Sequence, residues 1–178
     1  MRRWVVALGV LLMPLVSCTA ESADHAEPNA TPSPQQTPQA RPVAHVGQTL
    51  NLMRIGGQQI AVTLTEVISP ATVPNGWGEA GRTYVATKLR IENAGTTTIV
   101  GNGNSDVSII GSDGQTYRAD FAKVTECRDF TNGWFVIASG ATDAGCIVFA
   151  LPTGVGAEKV RYAPSSGISQ DVGEWLNP

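Results

Sequence analysis

Thr83-Tyr84-Val85-Ala86-Thr87-Lys88-Leu89-Arg90-Ile91-Glu92 alternates with a period of two, and Asn93-Ala94-Gly95 stops it. Val85, Thr87, Leu89 and Ile91 take one face; Tyr84, Ala86, Lys88, Arg90 and Glu92 take the other. Such alternation marks a strand with one face on a core. Upstream, Leu50 and Leu52 alternate with polar neighbours, Gly56-Gly57 supplies a turn, and Ile60, Val62 and Leu64 alternate again, which is a hairpin pattern. Downstream, Val107 and Ile109 form a strand that Asp113-Gly114 turns back into Thr116-Tyr117-Arg118. Further strands are expected at Trp134–Ala138, Cys146–Leu151 and Lys159–Ala163, and a helical turn at Ala119–Thr125, where Phe121 and Val124 stand three apart. Seven or eight short strands with regular turns put the chain in the all-β class, as a sandwich or a barrel.

The run from Tyr84 to Asn93 resembles the strand-plus-Asn signature of an immunoglobulin-like domain-of-unknown-function family of Gram-positive (actinobacterial) lipoproteins and secreted proteins. Val107–Tyr117, with its Ser112-Asp113-Gly114-Gln115 hairpin, and Gly140–Pro152 are similar to the same family. Its relative in fold is the mycobacterial immunoprotective extracellular antigen. The resemblance covers most of Val46–Ala163 and implies an immunoglobulin-like antiparallel β-sandwich of about seven to eight strands. It carries no catalytic residue.

Outside this region the composition changes. Arg2 and Arg3 precede an apolar run, Trp4 to Val16, too short for a spanning helix and matched to a signal-peptide core. Leu15-Val16-Ser17-Cys18 resembles a bacterial lipobox. The resemblance implies that Cys18 is diacylglycerylated and becomes the new N-terminus; the alternative is an ordinary secretory signal with an incidental cysteine. Two acyl chains anchor stably, at about 0.8 kcal/mol per buried CH2. Thr19 to Pro42 holds five prolines and no large apolar residue, so it reads as a spacer. The expected organisation is a lipoprotein signal peptide at 1–17, the lipidated Cys18 with a Pro-rich linker at 18–45, and a β-sandwich domain at 46–178.

The whole chain has 178 residues, 42% hydrophobic and 15% charged, with three Cys. That length excludes a multidomain enzyme and a polytopic membrane protein. With Cys18 given to lipid, Cys127 and Cys146 remain as a pair in an exported domain. A disulfide is favoured there over two free thiols.

Chemistry is sparse. His25 falls in the linker and His45 at the domain edge, so no His-centred triad forms in the core. Asp106, Asp113, Asp120 and Asp129 are spread among turns, where capping is the expected role. Asn102-Gly103-Asn104-Ser105-Asp106 mimics part of a calcium loop, but Val107 stands where glycine is required, so a plain turn is expected and no metal site. No cofactor motif survives: Gly154-Val155-Gly156 lacks the third glycine of a dinucleotide loop. Beyond the signal, 15 acidic residues face 10 basic ones (12 less Arg2 and Arg3), a net charge of −5, which argues against nucleic acid as a partner. Lys88, Arg90 and Glu92 read as a solvated sheet face.

Trp77, in the Gly-rich loop Pro74–Gly81, is the candidate binding residue; it either grips a partner or plugs the end of the sandwich. Phe130, Trp134 and Phe135 read as core closure near Cys127, and Trp175 as a pin for the C-terminus. The leading expectation is a non-catalytic binding module, held by membrane lipid through Cys18 at the outer face of the cytoplasmic membrane. Its partner would be an envelope protein or glycan. An accessory structural subunit of an envelope complex comes second, and a His-independent hydrolase third.

Overall fold

The computed structural model describes residues 41–74 and 78–177. Eleven strands are found among the described residues. One sheet has the order β1-β11-β10-β6-β7, from Val43–His45 (β1), Gly173–Leu176 (β11), Ala157–Tyr162 (β10), Val107–Gly111 (β6) and Thr116–Arg118 (β7). The second has the order β2-β3-β4-β9, from Thr49–Met53 (β2), Gln59–Ile68 (β3), Arg82–Asn93 (β4) and Thr142–Pro152 (β9). Ile99–Asn102 (β5) and Trp134–Ile137 (β8) form a two-stranded ribbon. The count exceeds seven or eight because β1, β5 and β11 are short strands without their own alternation in the sequence. β1 occupies the last three residues of the stretch read as linker, so strand structure begins at Val43.

Strand pairing is antiparallel except between β1 and β11, which run parallel with Val43 opposite Glu174. The β2–β3 hairpin turns through Ile55–Gly57. Gly56 and Gly57 both adopt positive φ there, 79° and 80°, which a side chain would strain.

One core joins both sheets and the ribbon. Leu52, Val62, Leu64, Val85, Leu89 and Ile91 come from one sheet and Ile109, Val160, Tyr162 and Trp175 from the other, all buried in one apolar cluster. The Val85–Ile91 face of β4 is therefore inward, and Thr87 joins it by donating its hydroxyl to the Ile147 carbonyl oxygen. Trp175 is fully buried and donates its indole N–H to Gln48 O at 2.8 Å, fastening the last strand.

The outer face of β4 is not uniformly solvated. Lys88 pairs with Glu66 and Arg90 with Glu92 in water-exposed positions. Tyr84 and Ala86, however, are buried with Ala71 and Val148 in a second apolar cluster. Its cover includes Ala122, Val124 and Cys127, from a strap that crosses this face. The strap replaces the helical turn expected at Ala119–Thr125. Its backbone donors go outward, Asp120 N–H to Val148 O and Thr125 N–H to Thr72 O, leaving no local helical ladder.

Candidate functional site

The strap is held at both ends of its crossing. Asp120 bridges to Val148 and Asp129 to Cys146 along β9. Cys127 and Cys146 form a disulfide with Cα atoms 6.1 Å apart, tying the strap to the same strand. The Glu126 carboxylate accepts from Thr72 N–H at 2.8 Å, and that hydrogen bonding lowers its pKa. These contacts fix a segment that would otherwise carry few apolar anchors.

Beside the strap lies a cleft of about 500 Å³, lined by Val73, Pro74, Glu79, Tyr84, Phe121 and Lys123 among others. Phe121 is 83% exposed, the most exposed large apolar side chain among the described residues. Tyr84, which lines the same cleft, is buried in the second cluster, and its hydroxyl accepts from Glu79 N–H at 3.2 Å. An exposed aromatic on a disulfide-fixed strap can contact a partner with little ordering cost, because its backbone is already fixed. In the sequence Phe121 stood out only as standing three residues from Val124 in the expected helical turn. Its signal was an isolated Phe in a polar stretch beside Lys123 and Asp120.

The other sequence-derived sites fall as follows. Cys18 and Trp77 lie outside the described residues. His45 sits exposed on β1. Asp113 caps its turn, accepting from Gln115 N–H and from the Tyr117 hydroxyl at 2.6 Å. The Tyr117 hydrogen bond lowers the Asp113 pKa, and the same bond raises that of Tyr117. Asp120 caps the strap by accepting from Ala122 N–H. Asp129 stands 3.7 Å from the Lys123 ammonium. Asn102 caps a single helical turn, Gly103–Asp106 (α1), by accepting from Asn104 N–H. Among the described residues no three metal-ligating side chains converge.

Two readings need correction. Phe130 and Phe135 are buried with ring centroids 5.7 Å apart, but Trp134 is 56% exposed. Alternation along β8 explains it: Phe135 and Ile137 point inward, so Trp134 and Val136 point outward. Asp106 is not a surface turn cap. It is 3% exposed and accepts from Ser166 N–H at 2.7 Å and from the Tyr162 hydroxyl at 3.3 Å. Burial raises its pKa, against the lowering effects of Ser166, Arg54 and Tyr162. Tyr162 is pushed well above its ordinary value by burial first and by the Asp106 charge second. Asp106 thus fastens α1 to Tyr162 at the end of β10 and to Ser166 in the segment after it.

Two sheets packed over one core define a β-sandwich of immunoglobulin-like type. The chain belongs to the family described as Domain of unknown function (DUF4352), which matches residues 46–172. The fold is similar to that of MPT63, a secreted protein from Mycobacterium tuberculosis, at 20% identity and a TM-score of 0.59, covering 78% of this chain and 100% of that one. It is also similar to the yjhA protein from Bacillus subtilis, at 15% identity and a TM-score of 0.50, covering 74% of this chain and 98% of that one. No curated protein matches the chain in sequence. Neither the family description nor these structures' names states a catalytic activity.

Proposed function

We propose that the protein is an extracytoplasmic, non-catalytic binding module, anchored through Cys18 to the outer face of the cytoplasmic membrane. The observation that carries the binding role is Phe121, exposed beside a cleft and mounted on a strap that a disulfide and two β-bridges hold to β9. The lipobox-like Leu15–Cys18 and the Pro-rich spacer support the location, as does the description of MPT63 as secreted. The residues lining the cleft include Val73, Pro74 and Glu79, which flank Trp77 in the sequence. The partner is an envelope protein or glycan. Shortening Pro74–Gly81, or Trp77→Ala, should abolish capture of crosslinked partners from intact cells while the domain stays folded. Unfolding of Trp77→Ala indicates a plug instead, and turnover of an envelope substrate by purified protein contradicts the binding-only role.

A second reading, an accessory subunit of an envelope complex, is favoured by the exposed face of the ribbon, where Val100, Trp134 and Val136 stand together across paired strands. Stoichiometric co-purification with a membrane partner, lost in Trp134→Ser and kept in Phe121→Ser, separates it from the first.

A further inference from the structure

β2 is an edge of its four-stranded sheet, and along an antiparallel strand the backbone groups of successive residues face alternate sides. Met53 fixes which residues face out. Its N–H donates to Asp171 Oδ2 at 2.7 Å and its carbonyl oxygen accepts from Ser169 Oγ at 2.6 Å, both away from β3. Arg54, one residue on, turns the other way and donates its N–H to Gln58 O across the hairpin at 2.8 Å. By this parity Leu50 and Leu52 bond to β3, while Thr49 and Asn51 turn their N–H and C=O groups to the open edge. Among the described residues those four groups have no hydrogen-bond partner, and Thr49 and Asn51 are both exposed.

An open edge is a template for another strand, and folded proteins usually shorten, charge or cover it. The other edges of the two large sheets are treated so. The strap bridges to β9 at Val148 and Cys146; β1 and β7 are three residues long, and β7 ends on Arg118. β2 is five residues, Thr49-Leu50-Asn51-Leu52-Met53, without a charge, a proline or a glycine.

The free groups are self-complementary. A two-fold axis at Leu50 sets Thr49 opposite Asn51 of a second copy and Asn51 opposite its Thr49, and each pair exchanges two hydrogen bonds, leaving none of the free groups over. Leu50, only partly buried against the core, then meets Leu50 of the second copy in the closer pairing between them. The Asp171 and Ser169 caps on Met53 end the window and so fix the register. The uncharged strand suits such an axis, where a charge would come close to its own copy.

We propose that two copies of the chain pair antiparallel through β2, joining two four-stranded sheets into one of eight strands. The surface is distinct from the Phe121 strap and does not depend on the binding role assigned to it.

The test is sedimentation of the full chain in a Cys18→Ala background, which removes the third thiol and any acyl anchor with it. Reversible dimers are expected below about 1 mM, the weak end of specific association. Asn51→Pro should weaken them about tenfold or more, because it deletes an N–H that faces the second copy and leaves the β2–β3 bonds in place. Mixing Thr49→Cys chains with Asn51→Cys chains should give oxidised heterodimers, since residues directly opposite lie about 5.5 Å apart at Cα, within disulfide reach. Should circular dichroism show Asn51→Pro to be unfolded, this crosslink decides alone. A chain that sediments as a monomer at about 1 mM overturns the proposal. So does a dimer undiminished in folded Asn51→Pro, or a mixture that crosslinks no more than either cysteine variant by itself.

Discussion

The Asn93 side chain donates Nδ2 to the carbonyl oxygen of Ile137 at 2.9 Å, joining the end of β4 to the end of β8. The same nitrogen donates to Thr97 O at 2.8 Å, while Oδ1 accepts from Gly95 N–H at 3.0 Å. Asn93 is fully buried, so removing its amide strands the buried Ile137 carbonyl and leaves the Gly95 N–H without its acceptor. Asn93→Ala should cost about 3 kcal/mol, measured by urea unfolding. A loss below about 1 kcal/mol, within the range of an ordinary surface change, would contradict the role given to this residue.

Gly145 lies on β9 under the Phe130 ring. A Cβ there would stand 2.8 Å from both Phe130 Cγ and Phe130 N, and the backbone nitrogen cannot swing aside. Gly145→Ala should destabilise by about 2 kcal/mol, the scale of overpacking a close-packed site. Unchanged thermal stability would show that the strap end moves freely.

The Cys127–Cys146 disulfide closes a sequence separation of 19 residues. On the chain-entropy account that is worth about 3 kcal/mol. The double substitution Cys127→Ser and Cys146→Ser should therefore lower the thermal midpoint by about 10 °C in a domain of this size. Quantitative alkylation of both cysteines in unfolded, unreduced wild-type protein would contradict the bridge.

Asp106 makes stability depend on pH in a defined direction. Its carboxyl titrates above the ordinary 3.8 chiefly because burial disfavours the charge. Between the unfolded and native pKa values the folded state holds more protons, so stability falls as pH rises through that window. The contribution is fully present below 3.8 and gone above the native pKa. Asp106→Asn keeps an acceptor for Ser166 N–H and removes the titration. The stability of wild type relative to this variant should decline as pH rises from about 3.8 and then level off. A relative stability that climbs over the same range would reverse the assignment.

What the sequence made legible follows from the range of each interaction. The Val85–Ile91 face, the Gly56-Gly57 turn and the Asp113-Gly114 turn all rest on neighbours in the chain, and period-two patterning exposes them. The cover over Tyr84 and Ala86 comes from the strap around Ala122 and Val124, a pairing no local pattern encodes. Trp134 was drawn inward by its aromatic neighbours, although strict alternation with Phe135 places it outside. Asp106 was indistinguishable from other turn carboxylates, because Tyr162 and Ser166 lie 56 and 60 residues along the chain. Phe121 was hidden for the same reason: its exposure depends on how the strap crosses β9.

Cys18 tests the location. Cys18→Ala should release the protein from the membrane fraction into the medium, or leave an unprocessed precursor, since the lipobox-like tetrapeptide ends at this thiol. Intact-mass analysis showing an unmodified mature N-terminus in the wild type contradicts lipid anchoring.

The binding role is tested most directly by comparing crosslinked partner capture on intact cells by the wild-type chain and by Phe121→Ser. Phe121 is exposed and packs into no core, so the variant should keep the wild-type circular dichroism spectrum and melting point. The account predicts that a partner captured by the wild type is lost, or reduced about tenfold, in Phe121→Ser, the scale of a truncated aromatic anchor. Equal capture by a folded Phe121→Ser protein contradicts it.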